Sequence, residues 1–193
     1  MPLRRQLWLL AGAVLWLLAL LALLTHNAAD PGFSTSGSGH ALHNKAGQLG
    51  AWVADFALFL LGHSVWWLPL VAARAWLSAL ARDLRGEAAH VASAAAFWCG
   101  LALLLAASTA LESTRLYRFE ALLPGHAGGV LGYTLGPLSV KWLGFAGSGV
   151  LWIAGFLAIT GFPPFGTFVS ELLVLKGALD AQRYVEAVAF LIF

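Results

Sequence analysis

His26, His40 and His43 crowd one polar interval, and a cluster of histidines is where a metal centre is first sought. A zinc-type site needs about four ligands on a fixed scaffold. No cysteine or glutamate stands near these three at a useful spacing, so they read as solvated loop side chains, and no metal is expected. Asp55 is different. It lies one turn inside an apolar run, and an acid in a membrane helix is by default a functional candidate. Near the end of such a helix it can also rest at the headgroup level. Glu171 and Lys176 are an acid and a base five residues apart in a second apolar run. Cys99 sits alone among apolar residues, which excludes an internal disulfide framework and reads as a small buried hydrophobe. Catalytic triads, paired acids, Cys/His spacings and the GxxxxGK[ST] phosphate loop do not occur, so no catalytic residue and no bound cofactor are expected.

The elements that must hold these residues are membrane helices. Of 193 residues, 60% are hydrophobic and 10% charged, where a soluble protein carries about 25% charged. Nine Trp and twelve Phe suit a lipid-facing protein with interfacial anchors. A net charge of +2 gives no case for nucleic acid binding. Residues 7–24 carry no charge and reach about 27 Å as a helix, close to the hydrocarbon thickness. That run exceeds a signal-peptide core, so it reads as a crossing anchored inside by Arg4 and Arg5. Residues 25–50 follow as an outer loop, with Asp30-Pro31-Gly32 and Ser36-Gly37-Ser38-Gly39 supplying turn and flexible-linker chemistry.

Residues 50–80 are too long for one straight crossing, and Gly62-His63-Ser64 and Pro69 interrupt them, so a bend is expected near Gly62. Trp66, Trp67 and Trp76 read as anchors toward the inner end. Arg82, Asp83, Arg85 and Glu87 make an inner turn, and 91–111 is the third crossing, with Ala92, Ala96 and Gly100 as a small-residue stripe suited to packing within the chain. Residues 112–138 read as the second outer loop, its apolar centre at 128–135 able to dip into the interface. The fourth crossing is expected at 140–159, with Lys141 snorkelling outward and Gly144, Ser148 and Gly155 on one packing face. Five bases (Arg4, Arg5, Arg74, Arg82, Arg85) fall inside and four (Lys45, Arg115, Arg118, Lys141) outside, which places the N-terminus in the cytoplasm. After 159 the Gly161-Phe162-Pro163-Pro164-Phe165-Gly166 run breaks the helix. The last apolar run, starting at Tyr184, is too short to cross a bilayer and reads as cut. The fold class expected is all-α: a polytopic membrane protein of four transmembrane helices plus a short helical C-terminal tail.

Residues 1–158 resemble the N-terminal four-helix membrane domain of FtsK/SpoIIIE-type DNA translocases. The resemblance is carried by RRQLWLLAG, THNAADPGFSTSGSG, HNKAGQLGAWVADFALFLLGHSVWWLPL and LLPGHAGGVLGYTLGPLSVKWLGFAGSGVLWIAG. It implies a multi-pass domain of the bacterial inner membrane, located at the division septum, that helps to assemble the divisome. Its implied partners are the lipid bilayer, divisome membrane proteins and a further copy of itself, with no direct nucleic acid contact. In that family a linker and a hexameric ATP-driven DNA motor follow, so ATP belongs to the motor and not to this region. The family-like loop at 25–55 is the place to seek a divisome contact, with Lys45 and Asp55 as the residues to test.

Residues 159–193 form a second expected segment. GFLAITGFPPFGTFVSELLVLKGAL is similar to antiporter-like, proton-translocating subunits of complex I and membrane-bound hydrogenases. That resemblance puts Glu171 at the family's Ser-Glu/Ser-Lys pair, with Lys176 just beyond, in a setting where membrane acids and lysines relay protons. A seam near 158–161 is expected between the two. The function expected is therefore the membrane-anchoring, septum-localising domain of an FtsK-type translocase; the alternative is a fragment of a proton-translocating subunit.

Overall fold

Residues 7–24 are Leu, Ala, Trp and one Val with no helix breaker beyond one glycine, and they lie within α1 (Leu3–Leu24). The structure is a computed structural model and describes residues 3–39, 41–84 and 94–160. The helices that follow are α2 (Gly47–Leu61), α3 (Trp67–Leu84), α4 (Ala94–Arg115) and α5 (Gly129–Thr160). Short 3-10 turns at Gly62–Trp66 and Tyr117–Leu122 precede α3 and follow α4. Among the described residues there is no strand, and four stretches are long and apolar enough to cross a membrane. The protein is an all-α polytopic membrane protein. Glu171, Lys176 and the expected tail lie outside the described residues.

The expected bend near Gly62 is present. Gly62 has φ 60°, which favours glycine, and a Cβ there would lie 2.6 Å from the Gly128 nitrogen. α3 then runs antiparallel to α1. Trp16 donates its indole N–H to the Pro69 carbonyl at 2.8 Å, and Trp76 donates to Leu9 at 3.0 Å, so seven residues down one helix match seven along the other. Buried Leu58, Leu61 and Val65 gather the ends of this assembly, touching Leu23 of α1, Leu105 of α4 and Leu131 of α5. Trp66 and Trp67 are not at the inner end as expected. Trp66 packs on this cluster and Trp67 donates to Ser108 at 3.0 Å, near the end of α4 that leads into residues 116–128. We call that the cap end.

The second loop is shorter than expected, because α4 continues to Arg115 and α5 begins at Gly129. Small residues let these two helices close up. A Cβ on Gly132 would lie 2.3 Å from the Thr109 carbonyl oxygen, and one on Gly136 would lie 2.2 Å from Ser113 Oγ. That pairing makes 129–143 run alongside α4 in the same direction. At Gly144 (φ 69°, ψ 172°) the helix breaks. Beyond the break, Arg115 donates to the Phe145 carbonyl, and the Phe156 ring stands 5.5 Å from that of Trp67. Residues 145–160 therefore return along α4 in the opposite direction. Trp152 confirms the fold-back by donating to Ser139 at 2.9 Å, whereas a straight helix would separate these residues by about 20 Å. So the fourth crossing starts at 145 rather than 140. Cys99 is exposed on α4, not buried as expected. Gly100 and Gly155 meet no described neighbour within 4 Å, whereas Ser148 is buried.

Candidate functional site

Residues 25–46 fold into a cap over the α1–α2 junction, held by buried carboxylates. Asn27 starts it with an Asx turn, its side-chain oxygen accepting from the Ala29 N–H at 2.9 Å. Asp30 then accepts from the backbone N–H groups of His43 and Asn44, both at 2.8 Å, with His43 Nδ1 at 3.0 Å. Asn44 in turn donates to the Ala22 carbonyl at 2.9 Å, and its oxygen accepts from the Ala46 N–H just before α2. Burial pushes the Asp30 carboxyl up, but the hydrogen bonds from His43 and Asn44 outweigh it and hold the group below its ordinary value. The Ser36–Gly39 run is not a flexible linker here. Gly37 (φ 78°) packs its backbone against Pro31, and Ser38 donates its N–H to Ala29 at 2.8 Å.

Asp55 is the second lock. It is 2% exposed and faces the cap: Ser34 donates its N–H at 2.6 Å and its hydroxyl at 3.1 Å. Gly32 makes this approach possible, because a Cβ there would stand 2.7 Å from Asp55 Oδ2. His26 Nε2 lies 3.4 Å from Asp55 Oδ1 and is mostly buried, which corrects the reading of His26 as a solvated side chain. His43 is half-exposed against Asp30, and His40 lies outside the described residues. Lys45 is exposed, its backbone N–H tied to Thr25 Oγ at 3.1 Å. Among the described residues no group of three or more His, Cys, Asp or Glu converges on one point.

A third carboxylate, Glu112, holds the α2–α3 bend. Its Oε1 accepts from the His63 N–H at 2.9 Å, and its Oε2 accepts from the Ser64 N–H at 3.0 Å and the Ser64 hydroxyl at 2.9 Å. These are donors that the start of a helix leaves without intrahelical partners. Beside them is a cavity of about 160 Å³ lined by His63, Ser64, Trp67, Ser108, Glu112 and Leu116. Sequence reasoning missed Asp30 and Glu112, reading one as a turn residue and the other as the start of a loop. Each of the three acids accepts at least one backbone N–H, and Asp55 turns its other oxygen to the Ser34 hydroxyl and His26. Such an arrangement clamps chain segments together.

The residues that build this cap and bend fall inside a known family. The model for the 4TM region of DNA translocase FtsK/SpoIIIE matches residues 2–171, past the boundary drawn at 158. The chain is 37% identical over 160 residues to the DNA translocase FtsK 2 of Ralstonia nicotianae, covering 76% of this chain and 20% of that protein. It is 39% identical over 153 residues to the DNA translocase FtsK of Pseudomonas syringae pv. syringae, covering 77% and 19%. With the Pseudomonas putida FtsK it shares 33% identity over 185 residues, 94% of this chain and 22% of the relative. The chain thus spans about a fifth of the length of these relatives. No solved structure matches. Four apolar helices, the α-only architecture and these matches agree, and the chain belongs to the family of the four-transmembrane, membrane-anchoring region of FtsK/SpoIIIE DNA translocases.

Proposed function

We propose that this region anchors an FtsK-type translocase in the inner membrane and brings it to the division septum. Its N-terminus lies in the cytoplasm and the cap of residues 25–46 faces the periplasm. Catalysis is not assigned to this region: the matched family is a membrane region, and the chain covers 20% of the Ralstonia nicotianae relative. The orientation is supported by Arg4 and Arg5 at the start of α1 and Arg82 near the end of α3, at helix ends opposite the cap.

The observation that carries the reading is the cap itself. Two buried acids fix a polar segment rich in Gly and Ser into one shape, and that shape displays Lys45 to solvent. A fixed surface loses little entropy when a partner binds it, so the cap suits contact with divisome membrane proteins. A fluorescent fusion of the chain tests the proposal: a midcell band is expected, and a uniform membrane signal refutes septal targeting. Lys45→Glu leaves the locks intact and is expected to weaken the band. An unchanged band would remove Lys45 from the contact.

A further inference from the structure

Residues 47–84 contain two helices, and only one of them is needed to cross the membrane. α3 has 18 residues and reaches about 27 Å, close to the hydrocarbon thickness. Its pairing with α1 fixes relative depth. Continuing the antiparallel register upward from Trp16–Pro69 would bring residue 63 opposite Ala22. The residue found against Ala22 is instead Gly50, whose added Cβ would lie 3.3 Å from the Ala22 Cβ. Leu23, the next residue, packs on the cluster of Leu58, Leu61 and Val65. The far end of α2 also meets the start of α5, where a Cβ on Gly129 would stand 2.4 Å from the Leu60 carbonyl carbon. Both ends of α2 therefore sit at the depth where α1 ends and α5 begins. About 20 Å of helix is taken up sideways.

We infer that α2 lies in the plane of the membrane at the cap end and rests one face on lipid. Its three sides agree with this placement. Ala51, Ala54, Leu58 and Leu61 are buried against the bundle. Asp55, beneath the cap, and exposed Gln48 lie on the side that carries the polar segment. Leu49, Val53, Phe56 and Leu60 recur at helical spacing on a third side, and all are exposed, Leu49 by 83%. Such an apolar face beside a polar one is the pattern of a helix lying at the boundary between headgroups and acyl chains. Trp52 stacks on Phe56 at 5.8 Å, with Phe33 of the cap edge-on to both, an aromatic group of the kind enriched at that depth. The placement also keeps the Asp55 carboxylate out of the hydrocarbon centre, where an acid is costly.

Nitroxide depth measurement on the full chain tests the inference, in vesicles of phosphatidylethanolamine and phosphatidylglycerol. Labels go onto Leu49→Cys, Val53→Cys, Phe56→Cys and Leu60→Cys in a Cys99→Ser background, with oxygen and a water-soluble nickel chelate as the paired relaxers. Leu70→Cys and Leu77→Cys on α3 calibrate the ruler, since seven residues of a crossing helix must differ by about 10 Å. An in-plane α2 gives four shallow depths that agree within about 4 Å. A steady increase from 49 to 60, totalling about 16 Å, overturns the inference. So does free access of the nickel chelate to all four positions, which would put α2 in water. Maleimide labelling gives a second readout that needs no calibration: Gln48→Cys is expected to react at least tenfold faster than Leu49→Cys. Equal rates at the two positions count against an in-plane helix.

Discussion

Replacing Asp55 by Ala is the sharpest test of the cap. The change removes both acceptors used by Ser34 and leaves the Ser34 N–H facing the site of a missing carboxylate. A hydrogen bond to a charged group contributes about 1.5–3 kcal/mol, and a buried donor left without a partner costs about 1–3 kcal/mol. The His26 contact, at 3.4 Å, adds little. Roughly 3 kcal/mol of local stability should therefore be lost. At about 1.4 kcal/mol per tenfold, that is a hundredfold or greater rise in opening of the 30–39 segment. Hydrogen exchange by mass spectrometry on the chain in lipid nanodiscs reads this directly. Peptides covering 30–39 should exchange about a hundredfold faster, while peptides from α4 stay unchanged. Asp55→Asn, which keeps one acceptor, should fall between the two. A change below about threefold in 30–39, or an equal rise in α4, would refute the view that Asp55 is a local lock.

Other perturbations probe the remaining clamps. Glu112→Gln turns one acceptor into a donor facing backbone N–H groups, and should lower resistance to detergent unfolding by about 2–4 kcal/mol. Gly132→Ala drives a Cβ into the Thr109 carbonyl and should cost about 1–3 kcal/mol in the same assay. Gly100→Ala, with nothing within 4 Å, should be neutral or slightly stabilising. For Asp30 the folded carboxyl is held below its unfolded value, so its stabilising contribution is complete above a pH of about 4 and is lost as the pH falls through the lower folded value. Exchange at the His43 and Asn44 amides should accelerate over that acidic window, and Asp30→Asn should abolish the acceleration.

The all-α architecture could be read from the sequence because hydrophobic length and charge spacing are one-dimensional properties. Residues 7–24 had to be a helix of bilayer length, and Gly62 before Pro69 had to interrupt the second run. The fold-backs were not legible in the same way. Residues 129–143 and 145–160 are both largely apolar, and hydropathy cannot say that they run in opposite directions. The φ of 69° at Gly144 does so, with the contacts Trp152–Ser139, Arg115–Phe145 and Phe156–Trp67. The cap was misread for a related reason. Ser-Gly-Ser-Gly is compatible with a flexible linker and with a tight turn, and the choice depends on acceptors far away in sequence. Asp55 lies 21 residues from Ser34, and Asp30 lies 13 from His43.

Those long-range carboxylates also explain why an acid can persist in so apolar a chain. Each of the three sits where a helix ends, bends or meets the cap, and each takes at least one backbone N–H that no helix could satisfy. Leaving such donors unpaired near a membrane costs several kcal/mol apiece, more than the desolvation of an acid that remains hydrogen-bonded on both oxygens. Replacing any one of them with an apolar residue of similar size would improve hydropathy and weaken the fold. Polar residues in this protein are thus placed by backbone geometry, and the cap-end surface that they hold in shape is a consequence of where the helices must stop.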